Sequence, residues 1–185
     1  SDKAAAVAAV LTAIGFRGVQ VKKVGEGDRK RAVFEVIAEP IVSQRICPIP
    51  HFGSECQGQW RVTVWSGDAS PDEIVADLPK SSRVADLALV GSRMSLEARR
   101  KLAQATRRDR RSVLVLDESL YVWLLMQGDY RLPMFFDCAL PFSWCDPYPA
   151  TSGPVPIESF YGREDEIHEI MSPRGSSLVY GGRQL

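Results

Sequence analysis

Leu87-Ala88-Leu89-Val90-Gly91 and Ser112-Val113-Leu114-Val115-Leu116-Asp117 are two short, unbroken apolar runs, and between them lies a long segment opened by Ser95. A short continuous apolar run bounded by polar residues reads as a strand buried on both faces. In the intervening segment, Leu96, Ala98, Leu102, Ala103 and Ala105 supply one apolar side of a helix that runs to about Asp109. Ser95 is a preferred capping residue, and Ala98 three positions on leaves no acid for a capping box. Two buried strands joined by a long helix place the chain in the α/β class.

The surrounding chain agrees. Residues 3–14 favour helix, with Val7, Val10, Leu11 and Ile14 at helical spacing and Gly15 as the stop. Phe16 to Val24 and Ala32 to Ala38 alternate apolar and polar residues around Gly25-Glu26-Gly27-Asp28, a hairpin signature. Residues 39–59 read as a long ordered loop, and Arg61-Val62-Thr63-Val64-Trp65 as a third strand. Ser70, Pro71, Asp72 and Glu73 open a short helix to about Leu78, and a further short helix spans Leu120 to Met126. The order predicts a central mixed β-sheet flanked by helices. From Gly128 to Ser159 the periodicity fails. Pro141, Pro147 and Pro149 interrupt an aromatic stretch that predicts an extended, docked strap. Three units follow: an α/β domain over 1–127, a Pro-rich and aromatic connector over 128–159, and a separate start at 160–185.

The chain has 185 residues, 25% of them charged, with a formal net charge of zero, so no global field draws it to nucleic acid or membrane. Four cysteines, Cys47, Cys56, Cys138 and Cys145, are too few for a disulfide scaffold at this length. No apolar run is long enough to span a bilayer and no secretory signal is visible, which predicts a cytoplasmic protein with free thiols and no membrane partner.

The last unit carries a partial motif. Ser177-Leu178-Val179-Tyr180 leads into Gly181-Gly182-Arg183-Gln184-Leu185, the strand and opening of a G-x-x-x-x-G-K-[ST] phosphate loop. Phe160-Tyr161-Gly162-Arg163-Glu164-Asp165-Glu166-Ile167 resembles the entry helix ahead of that strand in STAND and AAA+ ATPases. The resemblance implies a chain cut inside the nucleotide loop, with a downstream ATPase domain as its partner in the same protein. ATP and Mg then belong to the full-length protein, and this fragment holds no cofactor of its own.

A second resemblance covers residues 4–125. Met94-Ser95-Leu96-Glu97-Ala98 and Asp117-Glu118-Ser119-Leu120-Tyr121-Val122-Trp123-Leu124-Leu125 are similar to the "F-S-x-x-A" and "D-G-x-x-L-x-x-L-L" stretches of Mrr-like restriction-endonuclease domains. The family's chemistry takes an acid on one strand and Glu/Gln-x-Lys on the next, to hold a divalent metal and position water. Glu35 or Glu39 supplies the first acid. Thr63 stands where Gln or Glu belongs and Trp65 where Lys belongs. The resemblance therefore implies the fold with its catalysis lost. An active metal-dependent nuclease using Glu35, Glu39 or Glu55 in a shifted register is the alternative, and a pure protein-interaction domain is another.

The helix over Leu96–Asp109 is strongly basic. Arg93, Arg100, Arg107, Arg108 and Arg111 are candidate contacts to a nucleic-acid backbone, with Arg100, Arg107 and Arg111 near one face. The alternative for the cluster is a solvated face whose cations favour the helix C-terminus. Cys47, His51 and Cys56 offer three metal ligands where structural zinc takes four, so packing is preferred and no metal site is assigned. These readings converge on the N-terminal recognition module of a bacterial P-loop NTPase, binding nucleic acid or a protein partner. The STAND resemblance implies a role in defence against foreign DNA.

Overall fold

A computed structural model describes residues 2–24, 30–79 and 84–145, with His168 and Met171 beyond them. The 25–28 turn, residues 146–159 of the connector, the entry stretch at 160–167 and the partial phosphate loop at 181–185 lie outside the described residues. The elements run α1 (Asp2–Ala13), β1 (Arg17–Val24), β2 (Arg31–Glu39), β3 (Ile41–Val42), β4 (Arg45–Ile46), β5 (Gln59–Trp65), α2 (Pro71–Ala76), β6 (Ala85–Val90), α3 (Leu96–Asp109), β7 (Leu114–Asp117), α4 (Glu118–Leu125) and α5 (Arg131–Ala139).

Five strands form one sheet in the order β1-β2-β5-β6-β7. β1/β2 and β2/β5 are antiparallel, whereas β5/β6 and β6/β7 are parallel. The architecture is thus α/β with a mixed sheet, as the element order predicts. Strand alternation divides the interior into two cores. Val62, Leu87, Leu89, Leu114 and Leu116 join α1, α4 and α5 on one face. Trp65, Ala88, Val90, Val113 and Val115 join α2 and α3 on the other. Burial on both faces explains the unbroken apolar runs of β6 and β7.

The ends of the elements follow their local chemistry. Ser70 caps α2 in a complete capping box with Glu73. Ser95 Oγ accepts from Ala98 N–H, and α3 ends where Arg110 turns left-handed at φ +49°. Gly15 follows α1 at φ +108°, where a Cβ would also meet Leu132 at 3.1 Å.

Two stretches differ from the sequence reading. Residues 39–59 are ordered but not structureless: they hold the β3–β4 hairpin and 3₁₀ turns at Pro50–Phe52 and Ser54–Cys56. Phe52 packs against Trp60 with ring centroids 6.3 Å apart, and Trp60 Nε1 donates to Ala38 O at 2.8 Å. The described part of the expected extended strap is helical. Pro133 sits in the first turn of α5, where its missing N–H costs nothing, and Leu132, Phe135, Phe136 and Ala139 bury against the first core. This carries the α/β core past residue 127, where the apolar pattern places its end.

Candidate nucleic-acid interface

α3 buries Leu102, Ala103, Ala105 and Thr106 and, Arg99 apart, leaves its charged residues exposed. The structure sorts those cations into separate employments. Arg99 Nη2 pairs with Asp117 Oδ1 at 2.8 Å, with the Asp117 side chain fully buried. The Asp117 carboxylate also accepts from Met94 N–H and Leu120 N–H, both at 2.8 Å, and the Arg99 guanidinium lies 5.7 Å from the Phe142 ring centroid. Arg99 is therefore a packing residue. Lys101 pairs with Glu97 and Arg108 with Asp109, which lowers both carboxyl pKa values and raises both cationic ones.

Of the residues singled out from sequence, Arg93 and Arg100 are exposed and make no hydrogen bond or ion pair among the described residues. Arg107 Nη2 donates to the Pro141 carbonyl at 3.1 Å and meets no carboxylate among the described residues. Arg100 and Arg107 are two helical turns apart, about 10 Å along the axis, and so lie on nearly one line. Arg111 leaves that line. It follows the left-handed Arg110, outside the helix, and its guanidinium donates to Pro79 O. Arg108 is held at the side by Asp109.

The strand that carries the nuclease-like pattern is employed structurally. Thr63 is buried, and its hydroxyl lies 3.3 Å from Asp77 Oδ2. Trp65 packs in the second core with Ile74, Val75 and Leu78. Glu35 and Glu39 are exposed on β2 and stand in register with Lys23 and Arg17 of β1. Glu55 lies in a 3₁₀ turn, 3.9 Å from His51 Nδ1. Among the described residues no group of three or more His, Cys, Asp or Glu is placed to hold a metal ion. Cys47 and Cys56 are buried, Cys56 Sγ donates to Gly53 O at 3.0 Å, and His51 sits edge-on to Phe52 and Trp144.

Sequence reasoning missed a charged network beside this strand. Arg61 reaches Asp86 Oδ1 at 3.1 Å, Asp77 Oδ2 at 2.7 Å and the Asp77 carbonyl at 3.0 Å. Arg31 pairs with the other Asp77 oxygen. Burial pushes the Asp86 carboxyl up to about 6, against the pull of Arg61. Glu35, Arg61 and Asp86 are consecutive register partners across β2, β5 and β6. The available signal was a lone charge near the start of each of two otherwise uncharged strands, which does not reveal its partner.

No helix among the described residues is long and apolar enough to cross a membrane. Comparison with protein-family models, curated proteins and solved structures finds no match.

Proposed function

We propose that this chain is a recognition module that grips a nucleic-acid backbone through α3 and does not cut it. The single observation that carries the reading is the exposed pair Arg100 and Arg107, in line on one helix and free of any carboxylate partner among the described residues. Arg93 extends the same basic region into the turn before α3. In a chain of zero net charge, such a local concentration gives the field a defined place to act. Support for the absence of cutting comes from Thr63 and Trp65, both committed to the interior. The reading places the module ahead of a STAND-like ATPase domain that uses ATP and Mg, in a cytoplasmic bacterial protein that responds to foreign DNA.

The test is duplex-DNA affinity measured across a salt series. The chain is expected to bind with a log–log salt slope that becomes shallower by roughly one unit per reversed arginine in Arg100→Glu and Arg107→Glu. Affinity and slope that do not change on reversal sink the proposal. A protein-binding role is favoured by a separate surface: Val122, Trp123, Met126 and Tyr130, on and just after α4, are exposed large apolar residues. Binding there would be insensitive to salt and lost in Trp123→Glu.

A further inference from the structure

A cavity of about 420 Å³ opens over the C-terminal ends of β5, β6 and β7, on the opposite face of the sheet from α3. Its floor is one row across four strands: Ala32 is in register with Val64, Val64 with Leu89, and Leu89 with Leu116. Val7 and Val10 of α1 form one wall and Tyr121 of α4 the other. At the far end the β5 and β6 exits close together, so that a Cβ on Gly91 would meet Trp65 O at 3.1 Å. Ligands of α/β proteins sit off the carboxyl ends of parallel strands, and cavities of a few hundred Å³ suit small molecules.

The lining is apolar, but two charged residues border it from opposite walls. Lys3 of α1 and Glu118 of α4 are exposed, and neither makes an ion pair or hydrogen bond among the described residues. Asp117 also borders the cavity, but its carboxylate is already committed to Met94, Leu120 and Arg99. A hydrocarbon seated here would leave both of these exposed charges unmatched. A singly charged amphiphile would match one and oppose the other.

We propose that this cavity binds a small zwitterionic amphiphile, its aliphatic body on the Ala32-Val64-Leu89-Leu116 row, its carboxylate at Lys3 and its ammonium at Glu118. The site is independent of the basic helix, so reversing Arg100 leaves it intact. Calorimetric titration of the whole chain with 10-aminodecanoate, decanoate and decylammonium tests it. The aminodecanoate is expected to bind tightest. Lys3→Glu and Glu118→Lys, both surface changes, each weaken it about five-fold. Ala6→Phe, at an exposed position on the cavity wall, abolishes binding by filling the space. The proposal falls if millimolar aminodecanoate gives no saturable heat, if decanoate or decylammonium binds as tightly, or if the three substitutions leave its affinity unchanged.

Discussion

Asp86 shows how one buried carboxyl makes stability depend on pH. Its folded value of about 6 lies above its ordinary 3.8 because burial disfavours the charged form more than Arg61 favours it. Between those values the folded chain binds more protons than the unfolded one. The associated stability is full below 3.8 and is lost as pH rises through about 6. A shift of this size corresponds to about 3 kcal/mol. Asp86→Asn is expected to remove that slope from urea-unfolding curves taken across the window; a slope that survives shows that another group causes it. Trp65 tests the strand in a different way. Its indole N–H is buried without an acceptor among the described residues, inside an apolar core. Trp65→Phe is therefore expected to cost no more than about 1 kcal/mol, because the orphaned donor disappears with the lost area. Trp65→Lys buries an unpaired ammonium and should abolish cooperative unfolding instead of restoring a catalytic lysine. A stable lysine variant would show that this position opens to solvent.

Among the elements, α3 was legible because the Ser95 cap and the apolar spacing of Leu102, Ala103 and Ala105 agree, although Leu96, read with them, is exposed. The Ser70-Pro71-Glu73 start of α2 was legible for the same reason. α5 was not, because the proline-broken stretch from Gly128 to Ser159 was read as one aperiodic unit, which hid the helical spacing of Leu132, Phe135, Phe136 and Ala139. A proline in the first turn is compatible with a helix, and only burial shows which side prevails. Arg131 adds a tie that no local pattern reveals: its Nη1 donates to Ala13 O at 3.0 Å, satisfying a carbonyl at the end of α1. α5 is therefore expected to be required for folding. Phe135 is fully buried, and Phe135→Ala should cost about 3–5 kcal/mol in chemical denaturation. A chain ending at residue 127 should show no cooperative transition, and a sharp transition in that truncation would relegate α5 to an accessory.

For the molecule as a whole, the strands and their apolar faces were readable one at a time, but their pairing was not. That β5 lies between β2 and β6 is what sets Glu35, Arg61 and Asp86 side by side, and no periodicity within one strand encodes a partner on another. The candidate cations were likewise readable as a group. Arg108 meets its own sequence neighbour Asp109, but the separation of Arg93 and Arg100, unpaired among the described residues, from carbonyl-bound Arg107 and Arg111 and from Arg99 on Asp117 depends on residues far along the chain. The same long-range pairing bears on cleavage. Beside Glu35, the next strand presents Arg61, a fixed cation already bound to Asp77 and Asp86, where a hydrolytic centre would need a carboxylate free to take a divalent ion. The pure chain is thus expected to retard duplex DNA without nicking it in the presence of magnesium or manganese, and Glu35→Ala should leave that retardation unchanged. Metal-dependent nicking that disappears with Glu35→Ala would establish a working nuclease and overturn the reading of a silent scaffold. Loss of retardation in Glu35→Ala without any nicking would instead place the nucleic acid on the open face of β2, away from α3.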